Sequence, residues 1–361
     1  MLKFILNRLW YGILVMLGVI VIVFALFQIL PGDASKMLVG QRSDINTTEA
    51  IIKDLGLDQP KYIQLIGYIN DMSPISFYNS KDNDSFFYLD DTKYTKYFEI
   101  VTIGKTSIVA KAPYLKRSYQ AQRPVGEMIL QAFPKTLVLA VVAMIIALVI
   151  GMFFGIISAI YKDSFIDKTA LVGSVFGMSL PSFFFAILIA WIFAFLLGDI
   201  TGLNMTGSLY TIDDFGNGEK LSLANLILPS IALGIRPLAV ITELTRASLL
   251  DILSMDYIRT AKAKGLSNRR IIFKHALKNS LNPIITSSTG WFATMLAGSV
   301  FVEYVFDWKG MGTMIVDALD KYDMPVLMGS IVFISLLLVL LNILADILYA
   351  VVDPKVKLIE K

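Results

Sequence analysis

Six apolar runs, most of them about twenty residues or longer, constrain this chain more than any other feature; they cover residues 9–30, 134–160, 169–197, 223–244, 282–305 and 326–352. Lipid offers the backbone no hydrogen-bonding partner, so runs of that length predict membrane-spanning helices. With 56% hydrophobic and only 17% charged residues the chain is too apolar for an ordinary soluble domain. The expected fold class is therefore an all-α polytopic membrane protein with six transmembrane helices. The first run follows Lys3 and Arg8 but exceeds the apolar core of a secretory signal, and ILPGDASK is a poor cleavage site, so it reads as a retained span ending at Pro31 and Gly32.

Four regions follow from this reading: an N-terminal cytoplasmic end with the first span (1–30), an extracytoplasmic region (31–131), a transmembrane core (132–352) and a cytoplasmic tail (353–361). The second of these turns polar and aromatic, and its 98–109 stretch predicts short strands, which makes it an α+β region between the first two spans. Even-numbered crossings put both termini on one side. Lys3, Arg8, Lys162, Lys168, Lys355, Lys357 and Lys361 share that side with a basic central loop, which by the positive-inside rule is the cytoplasm.

Two runs are irregular. SLPS at 179–182 interrupts the third, where Pro181 is expected to kink the helix, and the fourth carries Pro229, Arg236 and Pro237, which predict a broken or tilted span. Ser179, Pro181, Arg236 and Glu243 are the candidates for lining a pathway; Arg236 reads first as snorkelling or pairing inside the bundle, while an intramembrane Arg can also attract a peptide carboxylate. Asp346, late in the last run, is expected to face protein or approach the cytoplasmic surface, and Asn342 and Gln28 to bond between helices.

The most informative soluble stretch is DYIRTAKAKGLSNRRIIFKHALKN, residues 256–279. Residues 257–264 predict a short helix, Gly265 a left-handed stop, and Ser267 a cap on the helix that follows. There Arg270, Lys274 and Lys278 are expected on one face and Phe273, Leu277 and Leu281 on another. Ala261, Ala263 and Gly265 suit the close approach of a foreign surface. A solvated loop that merely orients the protein has the same charge pattern.

Enzymatic motifs are missing. No Cys is present, which removes disulfides, thiolate metal sites and thiol nucleophiles, and His275 is the only His, expected at the surface. GKT at 104–106 lacks the upstream Gly of a phosphate loop, because Glu99 stands there. A net charge of +3 scattered over loops gives no nucleic-acid surface. The runs show neither paired midplane charges nor the internal repeat of a secondary carrier.

YIRTAKAKGLSNRRIIFKHALKN resembles the cytoplasmic coupling loop of ABC-transporter permeases, specifically the B-type subunit of bacterial oligopeptide and dipeptide importers. LPGDA, LGLDQP, RPVGEMI, SLPSFFFAIL, LPSIALGIRPLAVITELTRASLLDIL, VEYVFDWKGMG, DMPVLMG and DILYAVVDPKVK resemble the same family in the same order. Against the general importer pattern Arg259 replaces a Glu and Lys278 a Pro, and residues 79–116 look inserted. Aromatic residues there, Phe86, Phe87, Tyr88, Tyr94 and Tyr97, suit a docking surface, although a tolerated loop elongation fits as well.

The resemblance implies a multi-pass subunit of the bacterial cytoplasmic (inner) membrane, forming a peptide pathway with a sister permease as a heterodimer. Two ABC ATPase subunits would use ATP and Mg, this chain binding no cofactor, and an extracytoplasmic binding protein would deliver the substrate. The same resemblance extends to permeases for nickel chelates and glycosides. It implies a coupling loop at 246–281 whose ATPase-coupling residues are Asp256, Tyr257, Ile258, Arg259, Thr260, Ala261, Lys262, Ala263, Lys264, Gly265 and Leu266.

Overall fold

The computed structural model describes residues 2–29, 58–82, 85–90, 93–94, 97–212 and 218–352. The Pro31-Gly32 stop, the LPGDA motif, the first half of LGLDQP, the side chain of Gln28 and the tail 353–361 lie outside the described residues. The elements in order are α1 (Leu2–Ile29), α2 (Lys61–Met72), β1 (Ile75–Asn79), β2 (Tyr97–Ile103), β3 (Thr106–Lys111), α3 (Val125–Ile160), α4 (Phe165–Ser179) and α5 (Ser182–Ile189), which continues as a π-helical stretch, Ala190–Leu196. Then come a ribbon of β4 (Tyr210–Ile212) and β5 (Glu219–Leu221), α6 (Ala224–Leu253), α7 (Asp256–Ala263), α8 (Leu277–Gly298), α9 (Val300–Val305), α10 (Met311–Asp320) and α11 (Met324–Val352).

Among the described residues α1, α3, α6 and α11 are long and apolar enough to cross a membrane, and α4 with α5 and its continuation passes the same test as a pair. That pair is bent by 109° rather than mildly kinked. Leu180 is extended (φ −77°, ψ 132°), the conformation that a following proline imposes, and Pro181 has no N–H to continue the ladder. By contrast α6 runs unbroken through Pro229 and Pro237, so the expected break there is absent. The expected fifth span divides into α8 and α9 at Ser299, and α8 falls short of the apolar criterion because Asn279, Asn282, Thr286, Ser287, Ser288 and Thr289 lie along it.

The described residues form two compact units, one drawn from within 1–9, 131–316 and 337–361 and the other from within 10–130 and 317–336. In the first, α6 is the central helix, and glycines bring α3 onto it. A methyl group added at Gly151 would sit 2.9 Å from the Leu238 carbonyl, one at Gly155 2.6 Å from the Thr242 carbonyl, and one at Gly234 2.8 Å from the Ala143 carbonyl. Close backbone contact through small residues is how helices associate where there is no hydrophobic drive between them. Residue numbers rise together across these contacts, so α3 and α6 run parallel. The chain between them must therefore return, and it does so along α6: Asp167 meets Arg246, Gly177 meets Ile235 and Ala239, and Asn204 donates to Asn225. From Arg246 to Asn225 is about 31 Å of helix, against about 30 Å for a hydrocarbon layer.

The next segment retraces that path. Ser248 donates to the Ser280 carbonyl at the start of α8, while Gly207 donates to the Phe306 carbonyl and Lys309 to Ser208, whose own carbonyl accepts from Asn225. Leu139, Ala143, Leu228, Ile241, Ile284, Met295 and Trp308 build the shared core. Glu303, fully buried, accepts from Ser299 and from the backbone N–H of Gly312 in the first turn of α10, an acidic cap on an otherwise orphaned helix start. Arg8 and Asp346 pair at 3.1 Å, tying the start of α1 to the end of α11.

In the second unit an antiparallel sheet of order β1-β3-β2 confirms strands in the 98–109 stretch and adds β1, which the sequence reading missed. Gly104 and Lys105 of GKT are the two-residue hairpin turn between β2 and β3, with Gly104 at φ +66°. Tyr94 packs inward with Tyr78, Leu89 and Val109, so it serves the core of this unit rather than a docking surface. Lys111 is buried beside them, donating to the Asp71 carbonyl at 2.6 Å, while Tyr78 and Tyr94 both donate to the Asp71 carboxylate. Burial pushes the Lys111 amine down to about 8, with the Asp71 charge opposing. Asp323 holds the 118–120 turn by accepting from the Ser118 hydroxyl and the Tyr119 and Gln120 amides.

Candidate functional site

The short helix expected at residues 257–264 is α7, and its geometry is that of a bracket. Ile258 is fully buried against Ala159 of α3, Leu249 of α6, Ile271 and Ala276, with Ala261 and Leu266 packed on the same cluster. Gly265 adopts φ +74°, the left-handed conformation expected of it, and the Leu266 N–H returns to the Ala261 carbonyl at 3.3 Å, a glycine-terminated helix end. Tyr257 accepts from the Asn279 amide at 2.9 Å, a second tie to the start of α8. The outward surface consists of Asp256, Tyr257, Arg259, Thr260, Lys262, Ala263 and Lys264. Arg259 and Asp256 pair at 3.3 Å, but both are exposed and such a pair contributes little.

Four local expectations need correction. Ala261 faces the cluster, so only Ala263 and Gly265 of the small residues are free to meet another surface. Ser267 stands at the N-cap position with extended backbone, yet its hydroxyl makes no cap bond. The stretch Ile271–Ala276 is π-helical, which adds a residue to the turn and rotates the helix beyond it. Ile271, Ala276 and Ser280 are consequently the buried positions and Phe273 is exposed, not the Phe273, Leu277 and Leu281 face that an unbroken α-helix would bury. His275 is half-buried rather than at the surface.

Next to this bracket lies a polar anchor that the sequence reading passed over. Asp167, 1% exposed, takes a two-pronged grip from Arg246, Nε to Oδ1 at 2.6 Å and the terminal nitrogen to Oδ2 at 2.7 Å. The Ser158 hydroxyl of α3 also donates to Oδ1, and the Asp163 amide donates to Oδ2 at 2.8 Å. One carboxylate thus joins α3, α4 and α6 with its lone pairs satisfied, the condition under which a buried ion pair holds. A readable signal existed: Ser164 and Asp167 fit the Ser-x-x-Asp pattern of a helix start, and Ser164 accepts the Asp167 amide.

The four candidates for a pathway divide into two pairs. Ser179 and Pro181 are exposed at the α4–α5 bend, the Ser179 hydroxyl being used on the Val175 carbonyl. Arg236 and Glu243 are exposed on α6, and among the described residues neither has a hydrogen-bonding or ionic partner. A charge facing lipid at the centre of a span costs about 2.5–3.5 kcal/mol on insertion scales, so this face of α6 meets water or another molecule. No cluster of His, Cys, Asp and Glu able to hold a metal is present among the described residues.

The family model described as the inner membrane component of binding-protein-dependent transport systems matches residues 151–358, and the model of the N-terminal part of such membrane components matches residues 1–82. The chain is 32% identical to the di/tripeptide transport permease DppB of Pseudomonas aeruginosa and 32% identical to the glutathione transport permease GsiC of Escherichia coli, each alignment covering 99% of both chains. Among solved structures, an inward-facing form of the MetNI methionine ABC transporter matches with a TM-score of 0.50 at 16% identity, covering 63% of this chain and 97% of that one, a likeness of fold. With parallel α3 and α6, the return along α6, and a short basic helix clamped at their ends, the chain belongs to the family of inner-membrane components of binding-protein-dependent transport systems.

Proposed function

We propose that this chain is the permease subunit of an ABC importer that takes up small peptides, pairing with a sister permease and driven by two separate ATPase subunits that bind the ATP and Mg. An extracytoplasmic binding protein delivers the peptide. The observation that carries this reading is the α7 bracket: its outer face is basic and exposed, while Ile258 is buried against the ends of α3 and α6. A helix mounted in that way moves with the bundle as a rigid body, which is what transmission of ATPase closure to a pathway needs. Peptide is the favoured cargo because the relatives named above carry di- and tripeptides and glutathione.

The six-crossing arrangement with both termini cytoplasmic is part of the same proposal. It is supported by the parallel course of α3 and α6, by the return of α4–α5 and of α8–α9 along α6, and by the Arg8–Asp346 pair that joins the two ends. The chain has no Cys, so single cysteines report cleanly. Cysteine at Lys264 should cross-link to the ATPase in the assembled complex. Cysteine at Lys105 should react with an impermeant reagent from outside, and one at Asn268 should not. No cross-link from Lys264 or any other outward position of α7 would refute the docking, and the opposite labelling pattern the orientation.

A further inference from the structure

The unpaired charges of α6 have an order. Arg236, Glu243 and Asp251 are exposed and occupy one stripe, with half-buried Val240 and exposed Ala247 between them. Steps of four, three, four and four residues keep such a stripe on one face, and seven residues separate Arg236 from Glu243 by about 10.5 Å along the axis. α6 meets α3 at Leu238, Ile241, Thr242 and Thr245, α4 at Ile235, Ala239 and Arg246, and α8 at Ser248, all positions off the stripe. The stripe runs from a cation midway between Asn225 and Arg246 to two carboxylates toward the α7 end.

Resting on the permease reading above, we propose that this stripe binds the two charged termini of a short zwitterionic peptide, the carboxylate at Arg236 and the amino group at Glu243, so that the peptide passes amino end first toward Asp251. Charge complementarity selects this occupant. A tripeptide in extended form measures about 10 Å from end to end, which matches the Arg236–Glu243 rise. Arg presents a planar fork to a carboxylate, while a carboxylate side chain accepts from an ammonium, so each terminus meets its chemical counterpart. Ala247 leaves room for the amino end to step from Glu243 to Asp251. A sister permease pairing permanently with these charges is the competing occupant.

The test uses the full complex of both permeases, ATPases and binding protein in proteoliposomes. Tripeptides with free termini, with an acetylated amino end or with an amidated carboxyl end are each compared on wild type, Glu243→Gln and Arg236→Gln. Because the binding protein is the same throughout, its own preference cancels in each variant-to-wild-type ratio. Glu243→Gln should slow uptake of the free peptide about tenfold, as loss of one charge-assisted hydrogen bond does, and leave the acetylated peptide within about twofold; Arg236→Gln should do the same for the amidated peptide. Equal losses on blocked and free peptides, or variants that no longer co-purify with the sister permease, would overturn the assignment. If blocked peptides are not carried at all, tripeptides with a photoreactive first or last residue and free termini decide: the first should label near Glu243 and the last near Arg236, and the reverse order or labelling elsewhere refutes the proposal. Wild-type complex that takes up no peptide in any form would instead overturn the peptide-permease reading itself, and this inference with it.

Discussion

Two buried charge clusters, one in each compact unit, solve the same problem differently. Asp167 is held by an arginine fork from α6, a hydroxyl from α3 and a backbone amide of the turn before α4, so the cluster is a joint. In the other unit Lys111, among the described residues, reaches a backbone carbonyl and the faces of Tyr78 and Tyr94, at 5.8 and 5.3 Å from the ring centroids, while Asp71 accepts from the tyrosine hydroxyls. That cluster is local: it fills a small aromatic core between a sheet and the end of α2. A joint between spans needs directional, fully paired bonds, because its elements have to move together. A subdomain core tolerates a point charge held by weaker contacts.

The largest effect should therefore come from the joint. Asp167→Asn leaves the Arg246 charge without its counter-ion in a buried site, a change that typically costs about 3–5 kcal/mol, and Arg246→Lys, which keeps the charge but loses the fork, should cost less. Thermal unfolding of the detergent-solubilised complex followed by size exclusion measures both; equal midpoints for wild type and Asp167→Asn would show that the cluster is not a joint. An intermediate effect belongs to the Lys111 core and depends on pH. Because the folded amine titrates near 8 instead of 10.5, the folded unit releases this proton before the unfolded chain does, so stability rises from about pH 8 toward 10. Above that it falls again, since burial and the Asp71 charge push Tyr78 and Tyr94 above their ordinary value of 10. Hydrogen exchange of the β1 and β3 amides, corrected for intrinsic rates, should show more protection at pH 9.5 than at 7.5, and Lys111→Met should flatten that rise. A rise of the same size in the variant would assign it to another group.

The smallest effect is expected where both partners are wet. Asp256→Ala removes the Arg259 pair at the start of α7 and should shift stability by less than about 0.5 kcal/mol, the scale of an exposed ion pair. A large loss of folded complex in this variant would mean that the surface of α7 is not free.

How much of this could be read from the sequence differs between the two kinds of feature. The short basic helix, its left-handed Gly265 and the strands at 98–109 were legible because backbone propensity and periodicity are local. The π-helical turn at 271–276 was not: nothing in IIFKHA announces an extra residue, and it exchanges Phe273 for Ala276 on the buried face. The bend at Pro181 was expected in kind but not in size, because a kink angle is set by what the second half packs on. Asp167 and Arg246 lie far apart in the chain, and each alone reads as a surface charge; only the fold brings them together. Conversely Arg236 and Glu243, which stand in an apolar run, are exposed and have no partner among the described residues.

The central claim is that α7 transmits motion because Ile258 and the Gly265 turn fix it to the ends of α3 and α6. The direct test is peptide imported per ATP hydrolysed in reconstituted complex carrying Gly265→Val. A β-branched residue at φ +74° is strained by about 1–2 kcal/mol, enough to depopulate the bracket geometry about tenfold. Insertion in the membrane and assembly with the ATPases should persist while uptake per ATP falls by about that factor. Wild-type stoichiometry in the variant would contradict the account.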